Sequence, residues 1–205
     1  MTSVADIVIG YFLEDRAQEK FVRAVVGKVA NVAPHSILLH EIRSATGGAP
    51  VVMAELDRFL RDCQRGTVGP FGILVVCVDA DCEGYTAKRN RLQERIQARA
   101  YPGPCAFGIA DPHIERWYLL DPAGFARAVG VPSPGVPPIR CDKGLFKVAL
   151  RDAFSDLNPP LGGIEAAEDI VEEMDLYTAG RNDSAFKHFT DEIKEGLARL
   201  SGAAT

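Results

Sequence analysis

No stretch of this sequence approaches the roughly 20 consecutive apolar residues that a membrane-spanning helix needs. The opening MTSVADIVIGYFLEDR has no basic leading segment, and its apolar run is interrupted by Asp6 and stops at Glu14. A secretory signal is therefore not expected there. The five cysteines, Cys63, Cys77, Cys82, Cys105 and Cys141, are scattered and show no CxxC spacing. That argues against a thiolate zinc site, and reduced thiols in a cytoplasmic protein are the expectation. No GxxxxGK(S/T) pattern is present, which argues against ATP hydrolysis by this chain. Internal repeats and low-complexity tracts are also lacking.

Excess positive charge is missing too. Lys and Arg number 23 against 28 Asp and Glu, a net charge of −5, which excludes a broad nucleic-acid-coating surface. The average conceals an asymmetry. Segment 84–100 carries Lys88, Arg89, Arg91, Arg95 and Arg99 against one acid, Glu94. Segment 165–175 carries Glu165, Glu168, Asp169, Glu172, Glu173 and Asp175 and no base. A local basic face can thus coexist with an acidic whole.

What is present is an ordinary globular composition, 47% apolar and 25% charged over 205 residues, enough for one core with a small appendage. Residues 6–13, DIVIGYFL, read as a strand. Phe21, Val22, Val25, Val26 and Val29 then recur at helical spacing, predicting a helix over about 16–31. SILLHEI, 36–42, is a second strand. Gly47-Gly48 marks a loop, and Pro50 can begin a helix that places Val52, Leu56, Phe59 and Leu60 on one side. The most hydrophobic run, FGILVVCVD at 71–79, has no alternation, as expected of a strand buried on both faces. A helix over about 85–100 and a strand at 104–110 follow. This alternation predicts an α/β fold, a mostly parallel, doubly wound sheet with helices on both faces. The core would span 1–111, with 112–205 a helical extension packed on it. Helical stretches are expected at 113–129, 142–156, 164–175 and 183–200, with a Pro/Gly-rich loop at 130–140.

The strongest chemical signal is VVCVDADCEG, which sets Asp79 and Asp81 just past a buried strand. Sites in open α/β sheets lie outside the carboxyl ends of strands. Two such carboxylates can reach one hard cation of the Mg²⁺ type. The alternative is that one of them caps the next helix and the other is solvated. Glu14 ends the first strand in the same way, and it converges with the aspartates if the two strands are neighbours. Crowded carboxylates repel, so a bound cation is the natural compensation. Ordinary acid enrichment at a helix start is the alternative for Glu14 and Asp15.

A Glu at the end of the first strand followed by a hydrophobic strand ending in DxD resembles the TOPRIM domain, the metal-binding fold of topoisomerases, primases and overcoming-lysogeny-defect (OLD) nucleases. The closer resemblance is to bacterial TOPRIM-like proteins of the DUF4276 type, related to the RloB group. LEDRAQEKF, VDADCEG, HIERWYLLD and the late DSAFKHF stand where that family carries its motifs, over roughly residues 7–190. The family's Gly after the first Glu falls on Asp15, and its second Glu falls on Gln18, with Glu19 beside it. An amide binds Mg²⁺ more weakly than a carboxylate, and Glu19 is turned about 100° further round the helix. One ion on Glu14, Asp79 and Asp81 is therefore expected rather than two.

The resemblance implies a Mg²⁺- or Mn²⁺-dependent nuclease or nuclease subunit acting on DNA or RNA, set in a bacterial anti-phage system with an ABC- or AAA-type ATPase partner. Glu14 would be ligand or base, Asp79 and Asp81 ligands, and Glu115 an auxiliary acid of the catalytic set. Lys88, Arg91 and Arg95, with Arg99, form a stripe on one helical face that can take a phosphate backbone, or be a solvated outer face. Lys143 and Lys147 are a weaker pair of the same kind. His113 reads as a helix-start residue first, with phosphate contact or general base as alternatives, and Trp117 as a packing residue. The competing reading is a non-catalytic interaction or sensor subunit with a degenerate metal site, docking through its acidic 165–175 helix. A haloacid dehalogenase phosphatase is disfavoured because Cys82-Glu83-Gly84 follows the DxD. A phospho-receiver is disfavoured because no lysine follows the fourth strand in ADPHIE. Oligomeric state is left open.

Overall fold

A computed structural model describes residues 7–14, 16–31, 37–45, 49–140, 142, 144–155 and 163–202. The strands are β1 (Ile7–Leu13), β2 (Ile37–Ser44), β3 (Ile73–Asp79) and β4 (Cys105–Ala110). Between them run α1 (Arg16–Asn31), α2 (Ala49–Gln64) and α3 (Tyr85–Ala98), so the alternation expected from the sequence is present. The sheet order is β2-β1-β3-β4, and every pairing is parallel. The fold is α/β.

Side chains alternate across the pleat, which assigns each strand residue to one of two cores. Ile7, Ile9, Tyr11 and Leu13 of β1, with Ile73, Val75 and Cys77 of β3, meet Phe21, Val22 and Val25 of α1. Phe12, Leu74, Val76 and Val78 point the other way, onto Leu56, Phe59 and Leu60 of α2 and Leu92 of α3. With both faces covered, β3 has no solvent side on which polar residues would alternate.

Beyond β4 lie a 3-10 turn (Ile114–Leu119), α4 (Pro122–Val129), α5 (Leu145–Phe154), a second 3-10 turn (Ile164–Ala166), α6 (Ala167–Glu173), α7 (Leu176–Asn182) and α8 (Ser184–Gly202). Phe189, Ile193 and Leu197 of α8 join the first core. The approach is close: a Cβ on Gly196 would stand 2.9 Å from Ile73 Cδ1, so a larger residue would require the Ile73 side chain to shift. Trp117 is fully buried against Phe21, Phe186 and Phe189, the packing role expected of it.

Three expectations are corrected. The helix expected over 113–129 is two elements, because Asp121 accepts from Ala123 N at 3.2 Å and Pro122 starts a new helix. α7 was not foreseen; it begins where Asp175 accepts from Thr178 N at 2.6 Å. Cys63, Cys77 and Cys105 are free, but Cys82 is disulfide-bonded, against the expectation of reduced thiols throughout. Cys141, Lys143 and Gly47-Gly48 lie outside the described residues. Among the described residues no helix is long and apolar enough to cross a membrane.

Candidate functional site

The chain leaves β1 for β2 on one side of the sheet and then takes β3 on the other. The order reverses between β1 and β3, and their carboxyl ends border the crevice where α/β sheets place ligands. Glu14 follows β1 directly. Its N–H donates to Cys77 O at 3.0 Å, extending the parallel ladder by one residue. Its carboxylate Oε2 accepts from the N–H of Asp79 at 2.8 Å. Glu14 and Asp79, residues far apart in the chain, are thus brought into contact, carboxylate to backbone N–H.

Asp79 turns its own carboxylate toward three donors. Oδ1 accepts from Gln18 Nε2 at 3.1 Å and from Ile114 N at 3.0 Å, and Oδ2 lies 2.9 Å from His113 Nδ1. Gln18 is fully buried, and its Oε1 accepts from Glu14 N at 3.2 Å. This residue braces both acids, whereas Glu19 faces outward to Arg23 at 3.3 Å. His113 is the extended residue that opens the first 3-10 turn, as expected, and it also grips Asp79.

Asp81 sits in the left-handed region at φ 53, a conformation an Asp adopts more readily than most non-glycine residues. Ala80 N donates to Ala110 O at 2.8 Å and Asp81 N to Pro112 O at 3.0 Å, so the loops after β3 and β4 run side by side. At the start of α3, Asp111 Oδ2 accepts from Tyr85 N at 3.1 Å.

The basic stripe of α3 is engaged within the molecule. Lys88 is only 3% exposed, with Nζ 3.6 Å from Asp81 and 3.7 Å from Glu83. Arg91, half exposed, pairs with Glu83 at 3.0 Å. Arg95 pairs with Asp57 of α2, and Arg99 reaches the same carboxylate at 3.9 Å. Lys88 and Leu92 are one turn apart and both buried, so the stripe begins on the inner face of α3. Glu115 is not brought onto the Glu14–Asp79 pair. Its Oε1 lies 3.4 Å from Lys147. His188, for which no role was expected, has Nδ1 3.0 Å from Tyr85 OH.

Burial is the main force holding the Glu14 carboxyl above its ordinary range, and the charges of Asp79 and Asp81 add to it. The hydrogen bond from Asp79 N and the charge of Lys88 pull the other way. His113 is raised chiefly by its hydrogen bond to Asp79, against burial, with the charges of Asp79, Glu115 and Asp81 adding. In chemistry this donor set suits a hard cation: carboxylates only, one of them reluctant to ionise without compensation. In arrangement it is not a finished cage. Among the described residues no three His, Cys, Asp or Glu side chains stand so as to hold a metal ion. Asp79 is instead occupied by three N–H groups, and Lys88 faces Asp81.

Sequence reasoning missed Gln18 as a brace, the His113 grip on Asp79 and the inward turn of Lys88. The four-residue spacings Glu14–Gln18 and Lys88–Leu92 were signals for the first and third. The chain is thus an α/β protein with an acidic, hydrogen-bonded site at the order reversal of its sheet. Compared with protein-family models, curated proteins and solved structures, it finds no match in any of the three.

Proposed function

We propose that the chain is a Mg²⁺- or Mn²⁺-dependent, TOPRIM-like nuclease or nuclease subunit that hydrolyses nucleic-acid phosphodiesters. The observation that carries this reading is the meeting of Glu14 and Asp79, 2.8 Å apart through carboxylate and N–H, with the charge of Asp81 bearing on Glu14. The finer fold reading, a doubly wound TOPRIM-like sheet, is supported by the order β2-β1-β3-β4 and by cores on both faces. Glu14, Asp79 and Asp81 are the residues to hold an ion. A bound ion would supply Lewis acidity toward a phosphoryl oxygen and a more acidic water. The chain's own groups do the rest. Gln18, His113 and the Ile114 N–H orient Asp79. Lys88 is buried between Asp81 and Glu83 and positions them, so the base on α3 open to a phosphate oxygen is Arg91, which is half exposed. The resemblance to the anti-phage family supports an ATPase partner and a cytoplasmic setting, where the disulfide at Cys82 would be an exception.

The test is incubation of the full chain with plasmid DNA or RNA in Mg²⁺ or Mn²⁺. Cleavage is expected, and Asp79→Ala should reduce it to background. Equal cleavage by both proteins, or none by either, removes the proposal.

The second reading is a non-catalytic interaction or sensor subunit. It is favoured by Gln18, which fills the place of a second acid, and by Lys88, which neutralises Asp81. Calorimetric titration separates the two: no heat on adding millimolar Mg²⁺ or Mn²⁺ supports this one.

A further inference from the structure

The bases of α3 are largely spent within the molecule: Lys88 is buried between Asp81 and Glu83, and Arg95 and Arg99 share Asp57. Those of α2 are not. Arg58, Arg61 and Arg65 are exposed, and their side chains have no ion pair or hydrogen bond among the described residues. Arg58 and Arg61 belong to α2, and Arg65, just past its end, still donates its N–H to Arg61 O at 3.0 Å. Spacings of three and four along one helical path put all three on one face. The opposite face, with Leu56, Phe59 and Leu60, is buried on the sheet.

Such a row is unusual in this chain, whose net charge is −5. On α8, by contrast, Lys187 and Lys194 pair with Asp191, and Arg199 pairs with Glu195. The negative end of a helix dipole accounts for a base in the last turn, such as Arg61. Arg58 lies before that turn, where the effect has faded. Asp62 stands in the same row, but its side chain pairs with none of the three, which leaves the row positive. Like charges one turn apart destabilise a helix, a cost that an anionic partner would offset.

The shape of the row suits a string of anions. It is about 10 Å long, the length of about three nucleotides of one strand. Guanidinium groups match phosphate oxygens. The row also adjoins α3, because Asp57, one turn before Arg61, is the acid that Arg95 and Arg99 hold. Arg91, half exposed beside Glu83, extends the basic face toward Asp81. Surfaces for single strands set aromatic side chains among their bases for stacking. Here Phe59 is buried, and the exposed tyrosine among the described residues, Tyr177, is on α7. That favours a duplex.

We propose that the outer face of α2, through Arg58, Arg61 and Arg65, grips the phosphate backbone of a double-stranded nucleic acid. Its service to a cleavage site rests on the phosphodiester reading above. The grip itself needs neither metal nor catalysis.

The experiment is fluorescence anisotropy of the full chain in EDTA with a labelled DNA duplex of about three helical turns, over a series of salt concentrations. Binding should weaken as salt rises, because each neutralised phosphate releases counterions. The triple variant Arg58→Gln, Arg61→Gln, Arg65→Gln should bind at least about tenfold more weakly and lose about 2–3 from the slope of log affinity against log salt. Removing the same charge from α8, by Lys187→Gln, Lys194→Gln, Arg199→Gln, should leave the slope unchanged. No duplex binding by the wild type, or an equal loss of slope in both triple variants, overturns the inference. So does salt-sensitive binding to phosphatidylglycerol vesicles with none to duplex, which would assign the row to a membrane surface. Cleavage that needs Asp79 but not the α2 row sinks the grip and spares the nuclease. Row-dependent binding without cleavage does the reverse.

Discussion

Glu14 and His113 show how far one residue's meaning depends on its neighbours. Both are raised above their ordinary values, and in both cases the native chain holds its proton more tightly than the unfolded chain. For Glu14 this is a penalty that grows as pH rises from about the ordinary 4.5 through the raised native value. For His113 it is a stabilisation, complete below about the ordinary 6.5 and lost as pH rises through the raised native value. Two differences in melting temperature follow, measured without metal. Glu14→Gln should gain on wild type as pH climbs above 4.5, since glutamine keeps an acceptor for Asp79 N without a charge. His113→Gln should be at its greatest disadvantage below pH 6.5 and recover above it. Differences that stay flat with pH would mean these groups titrate as they do in the unfolded chain. Of the residues involved, Glu14, Asp79 and Asp81 could be read from the sequence because strand ends are legible in hydrophobic runs. The bracing by Gln18 and His113 could not, since a neutral amide and a lone imidazole carry no pattern until a carboxylate is placed beside them.

The elements of the first half were legible for a simple reason: their apolar residues face a sheet covered on both sides, which makes the periodicities strong. The short helices of the second half are fixed differently, by single polar side chains at their ends. α7 has few apolar positions and starts on Asp175, and α4 starts on Asp121, which also accepts from Asp175 N at 2.8 Å. The C-terminal end of α6 is a further case. Lys28, from α1, donates to the carbonyls of Val171 at 2.9 Å, Glu172 at 2.5 Å and Met174 at 2.7 Å. Carbonyls at a helix end lack the usual i+4 partners (Val171 O accepts only from Met174 N, at 3.3 Å), and a cation there is favoured by the negative end of the helix dipole. A lysine in the last turn of α1 gives no hint of this in the sequence, because its partners lie more than 140 residues away. Lys28→Met keeps most of the apolar stem and removes the cap. It should cost about 1–2 kcal/mol of stability by urea denaturation, at the upper end of helix-terminal charge effects. A loss within error of zero would show that water caps α6 equally well.

The molecule as a whole ties its site to its C-terminal half. The turn that presents His113 and the Ile114 N–H to Asp79 continues into Arg116, which is buried. Arg116 pairs with buried Asp183 and donates to Pro137 O at 3.2 Å and Asn182 O at 3.3 Å. Asp183 in turn accepts from Phe186 N at 2.8 Å, at the start of α8, the helix that packs on β3 and β4. A division at residue 111 describes the sequence, but one apolar cluster runs from Ile9 through Trp117 to Phe189 and Leu197. Unfolding should therefore be a single cooperative transition, with near-ultraviolet and far-ultraviolet signals coincident. Breaking the pair from one side strands a buried guanidinium, a change that costs about 3–5 kcal/mol. Asp183→Ala should then lower the urea midpoint without splitting the transition, and in the folded variant any metal-dependent cleavage should weaken, because the turn holding Asp79 has lost its anchor. Two separate transitions in the variant, with the first half melting as in wild type, would mean that the C-terminal helices are a detachable cover and that Asp79 is held by the sheet alone.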